Sequence, residues 1–280
     1  MPTAKILVIG DVVGRPGRAA LAHFVPRFVR DQGCDIVVAN GENVAGGSGI
    51  SISIARKLFH YGVDAITTGD HFFRNKEYAG CLDEPRILRP ANMPAQAVGR
   101  GHGVYVSRGG VRFAVVNLQG RIFMDPHACP FETMDKILAE IRPQTRLILV
   151  DMHAEATSEK VAMGWHLDGR VTCVFGTHTH IQTADDRVLP GGTAYISDLG
   201  MTGPRDSVLG RRKDNVMKSL MTGMPHPYDV ATGDPWIHGA LVTVDETSGR
   251  ALNIERVAAA CTQPLPPEND EPAPHSVKRW

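Results

Sequence analysis

ILVIGDVVGRPGR at residues 6–18, IVVANGEN at 36–43 and AITTGDH at 65–71 decide how this chain folds. Each is a short apolar run that ends in an acid, an amide or an imidazole. LILVDMH at 147–153 and VTCVFGTHTH at 171–180 repeat the pattern. Short apolar runs rich in β-branched residues read as buried strands. Between the first three lie helical patterns: Leu21, Phe24, Val25, Phe28 and Val29 mark a helix over 16–30, and a second covers 51–61. This alternation predicts an α/β fold with a parallel sheet, whose strand carboxyl ends open onto one crevice. Residues distant in sequence then meet at a single edge.

The middle and end of the chain change character. Segments 103–107 and 111–117 flank Arg108-Gly109-Gly110 and predict a hairpin, followed by helices over 130–141 and 158–164. Strands are expected at 187–189 and 193–197, and a closing hairpin at 237–244 and 251–257. A parallel half followed by hairpins suggests a second sheet packed on the first, with helices outside. Residues 200–235, rich in Gly, Pro and Asp, read as a long loop with a short segment at 216–221. The division expected is one domain over 1–261 and a Pro-rich, mobile tail over 262–280.

With 280 residues, 42% of them hydrophobic, the chain can bury a sizeable core. A formal net charge of zero gives no basic field for nonspecific nucleic-acid binding. Five widely spaced cysteines without a CxxC pair suggest free thiols in a reducing compartment. No apolar leader precedes the first strand, and no apolar run approaches the ~20 residues of a spanning helix, so the expected location is the cytoplasm, with no membrane partner.

The polar residues at the strand ends carry the chemistry. Asp11, Glu42 and Asp70 are carboxylates, Asn43 is an amide, and His71, His153, His178 and His180 are imidazoles. That is too many donors for one closed tetrahedral ion, but suits two divalent ions with open positions. Asp11 can equally cap the following helix. Glu42 can bridge two cations, and Asn43 can give a neutral oxygen ligand or a hydrogen bond to substrate. Asp151 or Glu155 can orient His153. His178 and His180, two residues apart on an extended strand with Cα atoms ~6.6 Å apart, would point to the same side. Neither GxGxxG nor a P-loop is present, which disfavours a dinucleotide binder.

With these residues in place the chain resembles the calcineurin-like metallophosphoesterases, whose pattern runs GD, then GD or GE, then GN-H, then H, then GHxH. It is more similar still to their bacterial YmdB-like family, through GDVVGRPGR, ANGENVAGG, LRPAN, NLQGR, HAEATSEK, GTHTHIQTAD and DLGMTGP, over residues 4 to 257. The resemblance implies a four-layer α/β/β/α sandwich and a phosphodiesterase acting on 2′,3′ or 3′,5′ cyclic nucleotides. It implies two metal ions, iron or manganese, with a bridging hydroxide as nucleophile. Asp11 and His180 would hold the first ion, Glu42 would bridge, and Asp70, His153 and His178 would hold the second. Asn43 would lie at the first ion or on the phosphate, and His71 would act as general acid. Arg121, Arg15 or Arg205 could add positive charge.

In one respect the chain departs from its family. Asp70 stands where the family has Asn, keeping a ligand oxygen but adding a negative charge. That charge could weaken attraction for phosphate, raise the pKa of His71, or favour a more highly charged metal. The alternative function is a regulatory RNA- or protein-binding member of the fold with little activity. Oligomeric state stays open.

Overall fold

The apolar runs form strands, but in two sheets rather than one. The computed structural model describes residues 2–262, so the expected tail lies outside the described residues except for Thr262. In the first half the chain runs β1 (Thr3–Ile9), β2 (Asp11–Val12), α1 (Gly14–Asp31), β3 (Ile36–Asn40), α2 (Ile52–Tyr61), β4 (Ala65–Thr67), a 3-10 turn (Lys76–Cys81), β5 (Ile87–Leu88), β6 (His102–Val106) and β7 (Arg112–Gln119). It continues through α3 (Pro130–Ile141), β8 (Ile148–His153), α4 (Thr157–Leu167), β9 (Cys173–Thr177), β10 (Arg187–Val188), β11 (Ala194–Ile196), β12 (Met201–Pro204), α5 (Lys213–Thr222), β13 (Pro235–Asp245) and β14 (Ala251–Ala260).

The first sheet has eight strands in the order β2-β12-β13-β1-β3-β4-β5, with β14 on β13. Strands β1, β3, β4 and β5 are parallel, as the β-α-β spacing predicts, and β13 runs antiparallel to β1. The second sheet has six strands in the order β10-β11-β9-β8-β7-β6, with β7, β8, β9 and β11 parallel. The architecture is therefore mixed α/β.

Side-chain alternation along the strands explains how they are covered. Leu7 and Ile9 of β1 and Val37 and Ala39 of β3 pack with Leu21, Val25, Ile54 and Leu58 of α1 and α2. Their alternates Ile6, Val8, Ile36 and Val38 pack instead against Phe113, Leu149, Cys173 and Phe175 of the second sheet. On that sheet's other side Val116, Ile148, Val150 and Val174 meet Met134, Leu138, Met163 and Leu167 of α3 and α4. Burial on both faces is why these strands read as continuous apolar runs rather than alternating ones. Local signals agree: Ser51 caps α2 by accepting from the Ile54 amide at 3.4 Å, and Pro130 opens α3 where no amide donor is needed.

Two expectations need correction. The closing hairpin β13–β14 joins the first sheet, where β13 supplies the antiparallel neighbour that β1 lacks on its other side. The long loop expected over 200–235 contains β12 and α5. Four residues, Met-Thr-Gly-Pro, are too few to show a period, and β12 is fixed from outside by parallel pairing with Asp11–Val12. None of the five cysteines is in a disulfide.

Phe113, fully buried between the sheets, and Phe123, 88% exposed, give a direct comparison. Phe113→Ala is expected to cost about 3–5 kcal/mol in urea unfolding, and Phe123→Ala less than about 0.5 kcal/mol. Similar losses would contradict this core assignment.

Candidate metal centre

The strand ends from both sheets converge. Asp11 follows β1, Glu42 and Asn43 follow β3, and Asp70 and His71 follow β4. His153 is the last residue of β8, and His178 and His180 lie just beyond β9. The crevice expected along one sheet is thus a junction between two. Ligand atoms of Glu42, Asp70, His153 and His178 lie within 4.8 Å of one another, as do those of Asp11, Glu42 and His180. Glu42 belongs to both groups. The six carboxylates and imidazoles expected as ligands are brought together, with Asn43 and His71 beside them.

The histidine pair is the one case where the residues are right and the expected geometry is wrong. His178 and His180 adopt φ of 97° and 65°, in the left-handed region, so they are not alternate positions of an extended strand. The chain turns after Thr177 and sends the two imidazoles to different groups. Such strain in non-glycine residues persists only where surrounding contacts hold it. Here Asp198 supplies them, accepting from the Thr179 amide at 3.2 Å and its hydroxyl at 2.7 Å, while Lys160 pairs with the same carboxylate oxygen at 2.7 Å. This buried pair was not found in the sequence.

Each ring has one nitrogen tied and the other turned inward. The Nδ1 of His153 lies 2.9 Å from the Thr177 hydroxyl, which donates to Asp151 at 2.7 Å. Asp151 therefore orients His153 through Thr177. Glu155 instead lies 3.2 Å from Nε2 of His178, which leaves Nδ1 facing Asp70 at 3.6 Å. His180 donates through Nδ1 to the Leu209 carbonyl at 3.1 Å, leaving Nε2 inward. Ligand histidines with the second nitrogen occupied have a fixed tautomer.

The charge balance fits cations. Asp11 is fully buried, its Oδ2 accepts the His178 amide at 3.0 Å, and its Oδ1 has no hydrogen-bond partner. A buried carboxylate oxygen left unpaired is costly without an ion. Burial pushes the Asp11 carboxyl well above its ordinary range, although His153 pulls it down. Burial also raises Glu42, but His153 and His71 outweigh it and hold Glu42 well below the usual range. His153 is raised well above its ordinary value because Glu42 and Asp70 outweigh burial. Burial and the His153 charge push His178 down to about 4. Gly69 leaves room for the cluster: a Cβ there would collide with Nε2 of His153 and Oε2 of Glu42.

His71 stands beside this cluster. Its Nδ1 lies 2.7 Å from Oδ1 of Asn43, whose Nδ2 donates to Glu42 at 2.8 Å and approaches His180 at 3.2 Å. Nε2 has no hydrogen-bond partner of good geometry, though Oδ2 of Asp70 is 3.3 Å away. Burial lowers the His71 pKa more than Glu42 and Asp70 raise it; Asp70 acts in the direction expected of its charge, and burial outweighs it. As placed, Asn43 presents its oxygen to His71; turning the amide over would present it to the first group.

Sequence reading also missed nearby arginines. Arg74 lies 3.3 Å from Oδ2 of Asp70. Arg211 is fixed by the Gly47 and Tyr228 carbonyls. Arg205, suggested from the sequence, stacks on Trp236 at 4.1 Å instead.

Gly69→Ala is expected to abolish most metal uptake while leaving the far-UV circular dichroism unchanged; wild-type metal content would contradict the cradle. The pH dependence has a definite sign. Asp11 and His153 have folded pKa values above their ordinary ones, so without an ion the stability they contribute is lost as pH rises through those values. Metal ligation requires deprotonated ligands. The gain in Tm from added Mn2+ should therefore be larger at pH 8 than at pH 5.5, and an equal gain would count against these residues as ligands.

The sequence model for YmdB-like proteins matches residues 7–257. A Bacillus subtilis (strain 168) protein named 2′,3′-cyclic-nucleotide 2′-phosphodiesterase is 44% identical over 254 residues, covering 90% of this chain and 96% of its own. Among solved structures, a hypothetical protein from Thermus thermophilus superimposes with a TM-score of 0.85 at 39% identity, covering 91% of this chain and 99% of that one. A novel phosphatase from Mycoplasma pneumoniae gives 0.86 at 30% identity, covering 93% and 94%. The strand-end pattern and the match along nearly the whole chain lead to one conclusion: this protein belongs to the YmdB-like family.

Proposed function

We propose that the chain is a metal-dependent phosphodiesterase that hydrolyses cyclic nucleotides, of the 2′,3′ kind and also the 3′,5′ kind, at a dinuclear centre. The observation that carries this reading is the sharing of Glu42 between two ligand groups, with the unpartnered Nε2 of His71 beside them. The name of the Bacillus subtilis relative supports the substrate class. In this reading the catalytic domain spans 1–261 as a four-layer α/β/β/α sandwich, the ions are iron or manganese, and the protein works in the cytoplasm. Among the described residues no helix is long and apolar enough to cross a membrane.

Asp11, His180 and Glu42 would hold one ion, and Glu42, Asp70, His153 and His178 the other. Bound there, two ions would supply Lewis acidity and a nucleophile at neutral pH. The chain's own residues do the remaining work. Asn43 accepts from Nδ1 of His71 and fixes the ring with Nε2 toward the site; Nε2 gives a proton to the departing ribose oxygen when the ring is doubly protonated, with Nδ1–H kept on Asn43. That oxygen is a poor leaving group without a proton. Thr177 and Asp151 keep His153 from rotating.

His71→Ala should retain metal and lose about 10²–10⁴-fold in kcat on a 2′,3′-cyclic nucleotide. Glu42→Ala should lose both metal and activity, and more of each than Asn43→Ala. Metal-loaded wild type that turns over no phosphodiester would overturn the enzymatic reading in favour of a regulatory binding role.

A further inference from the structure

Asp70 uses its two oxygens for different purposes. Oδ1 faces the ligand group, 3.3 Å from Nε2 of His153 and 3.6 Å from Nδ1 of His178. Oδ2 faces outward, 3.3 Å from Nε2 of His71 and 3.3 Å from Nη2 of Arg74. The guanidinium and the proton-donating nitrogen thus adjoin one oxygen. Arg74 is 53% exposed at its side chain, and its amide is fixed on the His71 carbonyl at 3.0 Å.

An exposed ion pair of this kind contributes little to stability. Its place beside the general acid is better explained by substrate. A guanidinium offers five donors in a planar fork suited to phosphate oxygens, and contact with Asp70 at Nη2 leaves the fork open to others. The charge count agrees. Asp11, Glu42 and Asp70 set three negative charges against two divalent ions, leaving about one positive charge for an anionic substrate. Arg74 restores what Asp70 removes. Arg211, half-buried, is a second cation whose charge opposes that of Arg74. A bound anion would relieve that repulsion.

We propose that Arg74 is a substrate-binding residue that grips a nonbridging phosphate oxygen, held in position by Oδ2 of Asp70. This rests on the phosphodiesterase reading for its substrate but not for its anion. Asp70 then has two tasks in this chain: to face an ion and to aim an arginine.

The test uses metal-loaded wild type, R74A, R74K, D70N and the D70N/R74A double variant. Binding of inorganic phosphate is measured by calorimetry, alongside hydrolysis of a 2′,3′-cyclic nucleotide. R74A should weaken phosphate binding about ten- to hundredfold, with the loss in hydrolysis appearing more in KM than in kcat. R74K should recover part of it, and metal content should not change. A smaller but still measurable loss should accompany R74A in the D70N background, where the oxygen that aims the guanidinium is gone. Unchanged phosphate affinity in R74A would overturn the proposal. So would a loss that vanishes once Asp70 is neutral, since Arg74 would then serve only as its counter-charge. A wild type that binds phosphate through Arg74 yet hydrolyses no diester would sink the catalytic reading alone.

Discussion

The buried carboxylate of Asp151 is the constraint on which the site depends. It lies on β8 in the second sheet, two residues before His153, and accepts from Thr177 on β9 at 2.7 Å. It also accepts from the first sheet, from Asn40 of β3 at 3.1 Å and from the Thr67 hydroxyl of β4. Two sheets held only by apolar contact could slide, because that attraction is not directional. Directed hydrogen bonds across the seam fix the register in which Glu42 and Asp70 meet His153 and His178. Asn117 adds to it, donating to the Thr68 carbonyl at 2.8 Å and the Leu88 carbonyl at 3.0 Å. Burial pushes Asp151 up in pKa, with His153 and its three hydrogen-bond donors working against that.

Several family motifs also carry residues that support the centre without belonging to it. Lys160 of HAEATSEK and Asp198 of DLGMTGP form the pair that holds the turn carrying His178 and His180. Glu159, next to Lys160, accepts from the amides of Arg121 and Ile122 at 3.0 and 3.1 Å and anchors the loop after β7. Asn92 of LRPAN donates to the Gln119 carbonyl at 2.8 Å and accepts from the Gln119 amide at 2.9 Å, at the strand end beside His153. Arg18 of GDVVGRPGR is buried and donates to the Val44 carbonyl at 2.6 Å, just after Glu42 and Asn43. Buried polar groups of this kind are costly unless satisfied, which makes each a demanding but specific positioning device.

What could be read from the sequence was whatever repeats over a few residues. Helix α3 falls on the expected bounds because Pro130 marks its start and Met134, Ile137, Leu138 and Ile141 keep helical spacing. The ligand types were legible because each closes an apolar run. Sheet membership was not, because pairing of β13 with β1 joins residues such as Thr3 and Asp245, at opposite ends of the described chain, and leaves no local trace. The turn at His178 and His180 was misread because nothing in Thr-His-Thr-His announces left-handed backbone; contacts from Lys160 and Asp198 impose it. Arg74, four residues after Asp70, carried a legible spacing that was overlooked, since i,i+4 pairing is ordinarily weighed only on helices.

Two ligand groups sharing one buried glutamate form the centre of this description, and their occupancy is directly measurable. Crystals of the protein loaded with Mn2+ would be measured at the manganese absorption edge for anomalous scattering. Two peaks about 3–4 Å apart are expected, one beside Asp11 and His180, the other beside Asp70, His153 and His178, with Glu42 between them. A single peak, or two that do not share Glu42, would contradict it.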